Sequence, residues 1–144
     1  MSAWSPAVLE HFERPRNAGA LDPADPDVGT GEVGEREHGD LIRLQVRVRD
    51  GRIAEARFKA FGCGVAIAAT SLATERLLGL DLAAARALRD VELAEALALP
   101  PVKIHCSVLV EAAIRRALED WERKQAGPAA GGPVNADEEE APCR

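Results

Sequence analysis

The chain has 144 residues, 47% of them hydrophobic, which is the size of one ordinary domain with enough material for a core. Its formal net charge of −6 argues against a binder of nucleic-acid phosphates. Residues 1–6 lack the basic and apolar regions of a secretory signal, and no apolar run reaches the length of a membrane span, so no membrane association and a reducing cytoplasmic setting are expected.

Ser5-Pro6 reads as a helix start, with serine at the N-cap and proline at the first helical position. The helix runs through Val8, Leu9 and Phe12 and ends near Arg14, because Pro15 disfavours helical backbone before it. Residues 18–27 hold Gly, Asp and Pro in turn-like clusters. Val28 to Val33 reads as an edge strand interrupted by glycine.

Residues 40–61 read as a β-hairpin. Ile42, Leu44, Val46 and Val48 alternate with Arg43, Gln45, Arg47 and Arg49, and Ala54, Ala56, Phe58 and Ala60 alternate with Glu55, Arg57 and Lys59. Asp50-Gly51 between them favours a type I′ turn.

After Gly62-Cys63-Gly64 the period changes. Residues 65–78 predict a buried helix with Ile67, Leu72, Leu77 and Leu78 inward, Glu75 and Arg76 outward, and Gly79 as the stop. Residues 81–89 and 91–98 predict two short helices, and Pro100-Pro101 breaks the second. A long final helix is expected from about Ser107 to Lys124, offering Val108, Leu109, Ala112, Leu118 and Trp121 for packing. From Ala126 the chain is Gly, Pro, Ala and acid, which cannot bury enough apolar surface to order itself. The expected architecture is α+β: a small three-stranded antiparallel sheet packed on helices, one domain over 1–125, and a disordered acidic tail over 126–144.

Three cysteines, Cys63, Cys106 and Cys143, do not read as a disulfide framework. Cys63 lies between two glycines, after a strand and before a helix. Cys106 follows His105 at the start of the last helix. The partial positive charge of a helix N-terminus favours thiolate, the form that binds metals and attacks sulfur. Glu37-His38-Gly39-Asp40, just before the hairpin, supplies imidazole and carboxylate; with thiolate these donors suit zinc or iron. Cys143 reads as a solvent-exposed thiol, with a tail long enough to bring it back as a third thiolate. No serine-based motif, phosphate loop or paired-carboxylate site suggests a self-contained enzyme.

Four segments carry a resemblance. His11-Phe12-Glu13-Arg14-Pro15-Arg16-Asn17 is similar to H-[YF]-x-x-P-R-N, and Gly39-Asp40 to the end of C-G-D. Phe61 to Ala68 is similar to G-C-G-x-A-I-A, and Leu99 to Ser107 reproduces L-P-P-V-K-x-H-C-S. In this order and spacing they resemble the IscU-type scaffold family, also seen as the N-terminal domain of NifU. The family has tyrosine near Trp4 and cysteine where His38 stands.

The resemblance implies a scaffold or carrier that takes sulfur from a cysteine desulfurase, takes iron, builds a labile 2Fe–2S cluster and hands it to acceptor apo-proteins. The implied ligands are His38, Asp40, Cys63, His105 and Cys106, of which four bind at once, with Cys106 and Cys63 as sulfur acceptors. It implies that a DnaK-like chaperone with its J-domain co-chaperone grips Leu99, Pro100, Pro101, Val102 and Lys103, where two prolines make an extended segment. A monomer or a cluster-bridged dimer fits the resemblance. The alternatives are a zinc-binding sulfur-transfer protein using the same pocket, whose relatives generally lack the chaperone motif, and a non-catalytic regulatory paralogue.

Overall fold

The computed structural model describes residues 5–35, 39–62 and 64–126. Trp4, Glu37, His38, Cys63 and Cys143 lie outside these residues, as does the expected tail from 127 onward.

Helix α1 spans Pro6–Glu13. Ser5 caps it by accepting the Val8 amide at 3.2 Å, and the chain leaves helical backbone at Arg14, before Pro15. Three strands follow: β1 (Val28–Glu35), β2 (Asp40–Arg49) and β3 (Arg52–Phe61), paired antiparallel in the order β1-β2-β3. Asp50 and Gly51 both have positive φ, 54° and 74°, as a type I′ turn requires.

Helix α2 (Gly64–Leu77) lies against the sheet and is buried on nearly every side. Two short helices, α3 (Leu82–Ala87) and α4 (Asp90–Leu97), lead to a single 3₁₀ turn over Pro101–Lys103 and then to α5 (Ile104–Ala126). Cys106, Val110, Ala113, Ile114, Ala117 and Leu118 of α5 join Ile42, Leu44, Val46 and the α2 alanines in one core.

Several sequence expectations need correction. The inward face of β3 begins with Ile53; Ala54 is exposed. Val48 pairs with Ile53 but Arg47 pairs with Glu55, so one extra residue interrupts the ladder and reverses the alternation. Gln45, expected outward, is buried because its side-chain oxygen accepts the Leu21 amide and its nitrogen donates to the Leu21 carbonyl. Leu78, beyond the end of α2, is exposed. Helix α5 begins three residues before Ser107, since the 3₁₀ turn feeds directly into it, and it includes Ala126. Val108 points to solvent on its outer side.

The glycines of β1 have a packing reason. A Cβ at Gly29 would lie 2.0 Å from the Ala117 carbonyl oxygen, and one at Gly31 2.2 Å from that of Ala113. Their bare backbone lets α5 lie directly on the sheet. The helix is pinned there at its far end, where Lys124 Nζ donates to the carbonyls of Pro23 (2.5 Å), Asp25 (3.1 Å) and Val28 (2.7 Å).

Candidate metal centre

Asp40 opens β2, and His105 and Cys106 occupy the first turn of α5. The packing of α5 along the sheet brings these two chain segments together. His105 Nε2 stands 3.5 Å from Asp40 Oδ2 and 3.6 Å from Cys106 Sγ. The three donor atoms all lie within 4.8 Å of one another. The Asp40 side chain is 2% exposed and Cys106 is fully buried, while His105 remains 30% exposed. A buried carboxylate and sulfur facing a partly open imidazole make a pocket with one wet side.

The chemistry of the set is specific. One oxygen, one imidazole nitrogen and one sulfur suit zinc or iron, and three protein donors leave room for further ligands. Cys106 lies in the first helical turn, where the partial positive charge of a helix start favours a metal-binding thiolate.

Of the five ligands expected from the sequence, the structure thus brings together Asp40, His105 and Cys106; His38 and Cys63 lie outside the described residues. The chain neighbours of those two positions border the pocket. Gly39, with φ of 72°, leads into Asp40, and Gly62 ends the hairpin beside it. On the outer face of the sheet Leu41 and Phe61 pair across the strands and are 38% and 61% exposed. Alternation along the hairpin, which sets Leu41 and Phe61 opposite to Ile42 and Phe58 in facing, is the sequence signal for this apolar rim.

The segment from Leu99 to Lys103 is not extended along its length, which corrects the sequence expectation. Ala98 is left-handed with φ of 52° and ends α4, and Pro100 is extended. From Pro101 the backbone turns, and the Lys103 amide donates to the Pro100 carbonyl at 2.9 Å. The fixed φ of Pro101 suits the first position of a helical turn. Pro101 is exposed, Leu99 packs on the core, and Val91, Ala94 and Ile104 line a shallow groove beside them with Asp90 and Glu95.

The histidine of the N-terminal motif lies elsewhere. His11 Nδ1 is 2.8 Å from Ser71 Oγ on α2, Arg16 donates its amide to the same oxygen at 2.8 Å, and Asn17 Nδ2 donates to Thr74 Oγ1 at 3.1 Å. This motif ties α1 to α2.

Residues 3–127 match the family described as the NifU-like N terminal domain. The chain is 53% identical over 124 residues to the iron–sulfur cluster assembly scaffold protein IscU of Azotobacter vinelandii, covering 85% of this chain and 97% of that protein. It is 49% identical over 124 residues, with the same coverage, to the protein of that name from Escherichia coli K12. Among solved structures, an N-terminal NifU-like protein from Brucella abortus superimposes with a TM-score of 0.66 at 19% identity, over 83% of this chain and 94% of that one. At that identity the likeness shows the fold.

Proposed function

The chain belongs to the NifU-like N-terminal domain family and is an iron–sulfur cluster assembly scaffold, and on that premise we propose that four of the side chains Asp40, His105, Cys106, Cys63 and His38 together hold a labile 2Fe–2S cluster. The convergence of carboxylate, imidazole and thiol donors within 4.8 Å supports this reading most directly. The cluster is cargo. It is built from iron and from sulfur supplied by a cysteine desulfurase, and passed to acceptor apo-proteins.

Sulfur arrives at Cys106 or Cys63. The cysteine thiol gives up its proton and its sulfur attacks the outer sulfur of the desulfurase persulfide; a new S–S bond forms on the scaffold cysteine, the old S–S bond breaks, and the desulfurase thiolate leaves and takes up that proton. Cys106 is fully buried and His105 beside it is 30% exposed, which favours approach from the His105 side. The chain accepts and holds sulfur; turnover belongs to the desulfurase. With a neutral imidazole at His38 replacing a thiolate, the cluster carries less negative charge and has a raised reduction potential, the direction seen in Rieske centres.

Release is chaperone-assisted, with Leu99, Pro100, Pro101, Val102 and Lys103 docking a DnaK-like chaperone presented by its J-domain partner. The 3₁₀ turn continues into α5, so a pull on Lys103 acts two residues from His105 and three from Cys106. A cytoplasmic location suits these partners, and among the described residues no helix is long and apolar enough to cross a membrane.

The same donor set is ordinary for zinc, which supports a second reading as a zinc-binding sulfur-transfer protein. Anaerobic reconstitution with iron and a desulfurase tests both, read by the absorption spectrum and by iron, sulfide and zinc per chain. A 2Fe–2S spectrum lost in Cys106→Ala and shifted in His38→Ala is the expected result. Tightly held zinc and no cluster overturns the cluster reading in favour of the second.

A further inference from the structure

Gly62 stands across the hairpin from Asp40. Leu41 pairs with Phe61, and the next step of the same antiparallel register sets Gly62 opposite the carboxylate-bearing residue. Residues directly opposite in such a ladder point their side chains to the same face. A Cβ at Gly62 would lie 2.1 Å from Asp40 Oδ1 and 3.0 Å from both its Cα and its Cγ. At Gly29 and Gly31 the corresponding collision is with helix backbone; at Gly62 it is with a donor group of the metal centre.

The Asp40 side chain is 2% exposed, with Oδ2 directed at His105 and Oδ1 occupying the space a Gly62 side chain would fill. A carboxylate this enclosed cannot yield on one oxygen and keep the other in place. We infer that Gly62 is a positioning residue for the metal centre: its missing side chain is the recess that holds Asp40 turned inward as the oxygen donor beside His105 and Cys106. This rests on the reading of Asp40 as a ligand. Any side chain at 62 rotates that carboxylate away and leaves a nitrogen–sulfur set with one donor fewer.

The test is a double-mutant cycle on the full chain, reading Zn²⁺ affinity by competition with a chromophoric chelator for wild type, Gly62→Ala, Asp40→Ala and the double variant. Losing a residue that orients a ligand costs metal affinity on the order of 10–100-fold. Gly62→Ala and Asp40→Ala are each expected to show a loss of that size. In the Asp40→Ala background, Gly62→Ala is expected to change affinity less than about 3-fold, because coupled sites are non-additive.

Additive losses overturn the inference alone, since Gly62 would then act without Asp40. Wild-type affinity in Asp40→Ala overturns the ligand reading and the inference with it. Gly62 has φ of 129°, so Gly62→Ala also meets backbone strain. If that single variant does not fold, folding of the double variant supports the inference by relief of the collision. Failure of both to fold overturns it, because the need for glycine would then lie in the backbone.

Discussion

His11 Nδ1 and Ser71 Oγ lie 2.8 Å apart in the seam between α1 and α2, 60 positions apart in the chain. On its other side the imidazole faces Glu75 at 3.5 Å, and Glu75 and Glu10 share Arg16. Burial lowers the His11 pKa below its ordinary value of 6.5; Arg16 lowers it further, and Glu75 and Glu10 oppose the shift. The unfolded chain therefore binds this proton more readily than the folded one. The stability His11 contributes is complete above pH 6.5 and is lost as pH falls from there toward the lowered folded pKa. Thermal melts of metal-free protein between about pH 7.5 and 5.5 cover this range. The wild type is expected to lose more Tm on acidification than His11→Gln, and equal slopes would refute the assignment.

Gly31→Ala places a Cβ against the Ala113 carbonyl and the Ala117 amide, both backbone. Helix α5 must lift from β1, at a cost of about 1–3 kcal/mol typical of overpacking. A urea titration should show a lower midpoint with an unchanged slope.

Lys124→Met removes three donated hydrogen bonds from one ammonium to the 23–28 loop. Hydrogen bonds to a charged group contribute about 1.5–3 kcal/mol, partly recovered here by water. Hydrogen exchange should quicken first at the Val28 and Thr30 amides, whose acceptors are Asp25 O and Asp120 Oδ2.

Metal binding should stabilise the folded chain, because the donors come together only on folding. A ligand at 100 times its Kd contributes about 2.7 kcal/mol. Chelator added to zinc-loaded protein is therefore expected to lower Tm to the value of the metal-free chain. A melting curve indifferent to chelator would count against a ligating pocket.

Cys143→Ser is expected to leave iron and sulfide per chain unchanged after reconstitution, since Asp40, His105 and Cys106 converge without it. A reduced cluster yield would make Cys143 a third thiolate.

Local rules carried most of the architecture: the serine cap and proline of α1, the Asp-Gly turn and the two flanking alternations of the hairpin. The glycines of β1 look like interruptions because their reason is Ala113 and Ala117 of α5, which lie more than 80 residues later. The start of α5 is hidden from local rules because Pro100-Pro101 reads as a break, whereas Pro101 opens the turn that continues into the helix. Motif spacing pointed to Asp40, His105 and Cys106, but their meeting depends on tertiary packing. Gly62 was legible only through register. Val48 inward across a two-residue turn must face Ile53, so alternating inward positions at Ala54, Ala56 and Phe58 already required an extra residue.

That extra residue ties the two ends of the hairpin together by parity. Counting back from the Asp-Gly turn without it, Asp40 would stand opposite the ring of Phe61; with it, the opposing position is Gly62. The irregularity lies roughly 25 Å along the strand from Asp40, at about 3.3 Å per residue. A single insertion or deletion within β2 or β3 therefore reaches the centre undiminished, exchanging inner for outer residues along its whole path. Length changes confined to the Asp50-Gly51 turn that preserve the pairing have no such reach. The hairpin transmits whole-number changes in strand length, so its evolution should show compensated pairs of such changes or none.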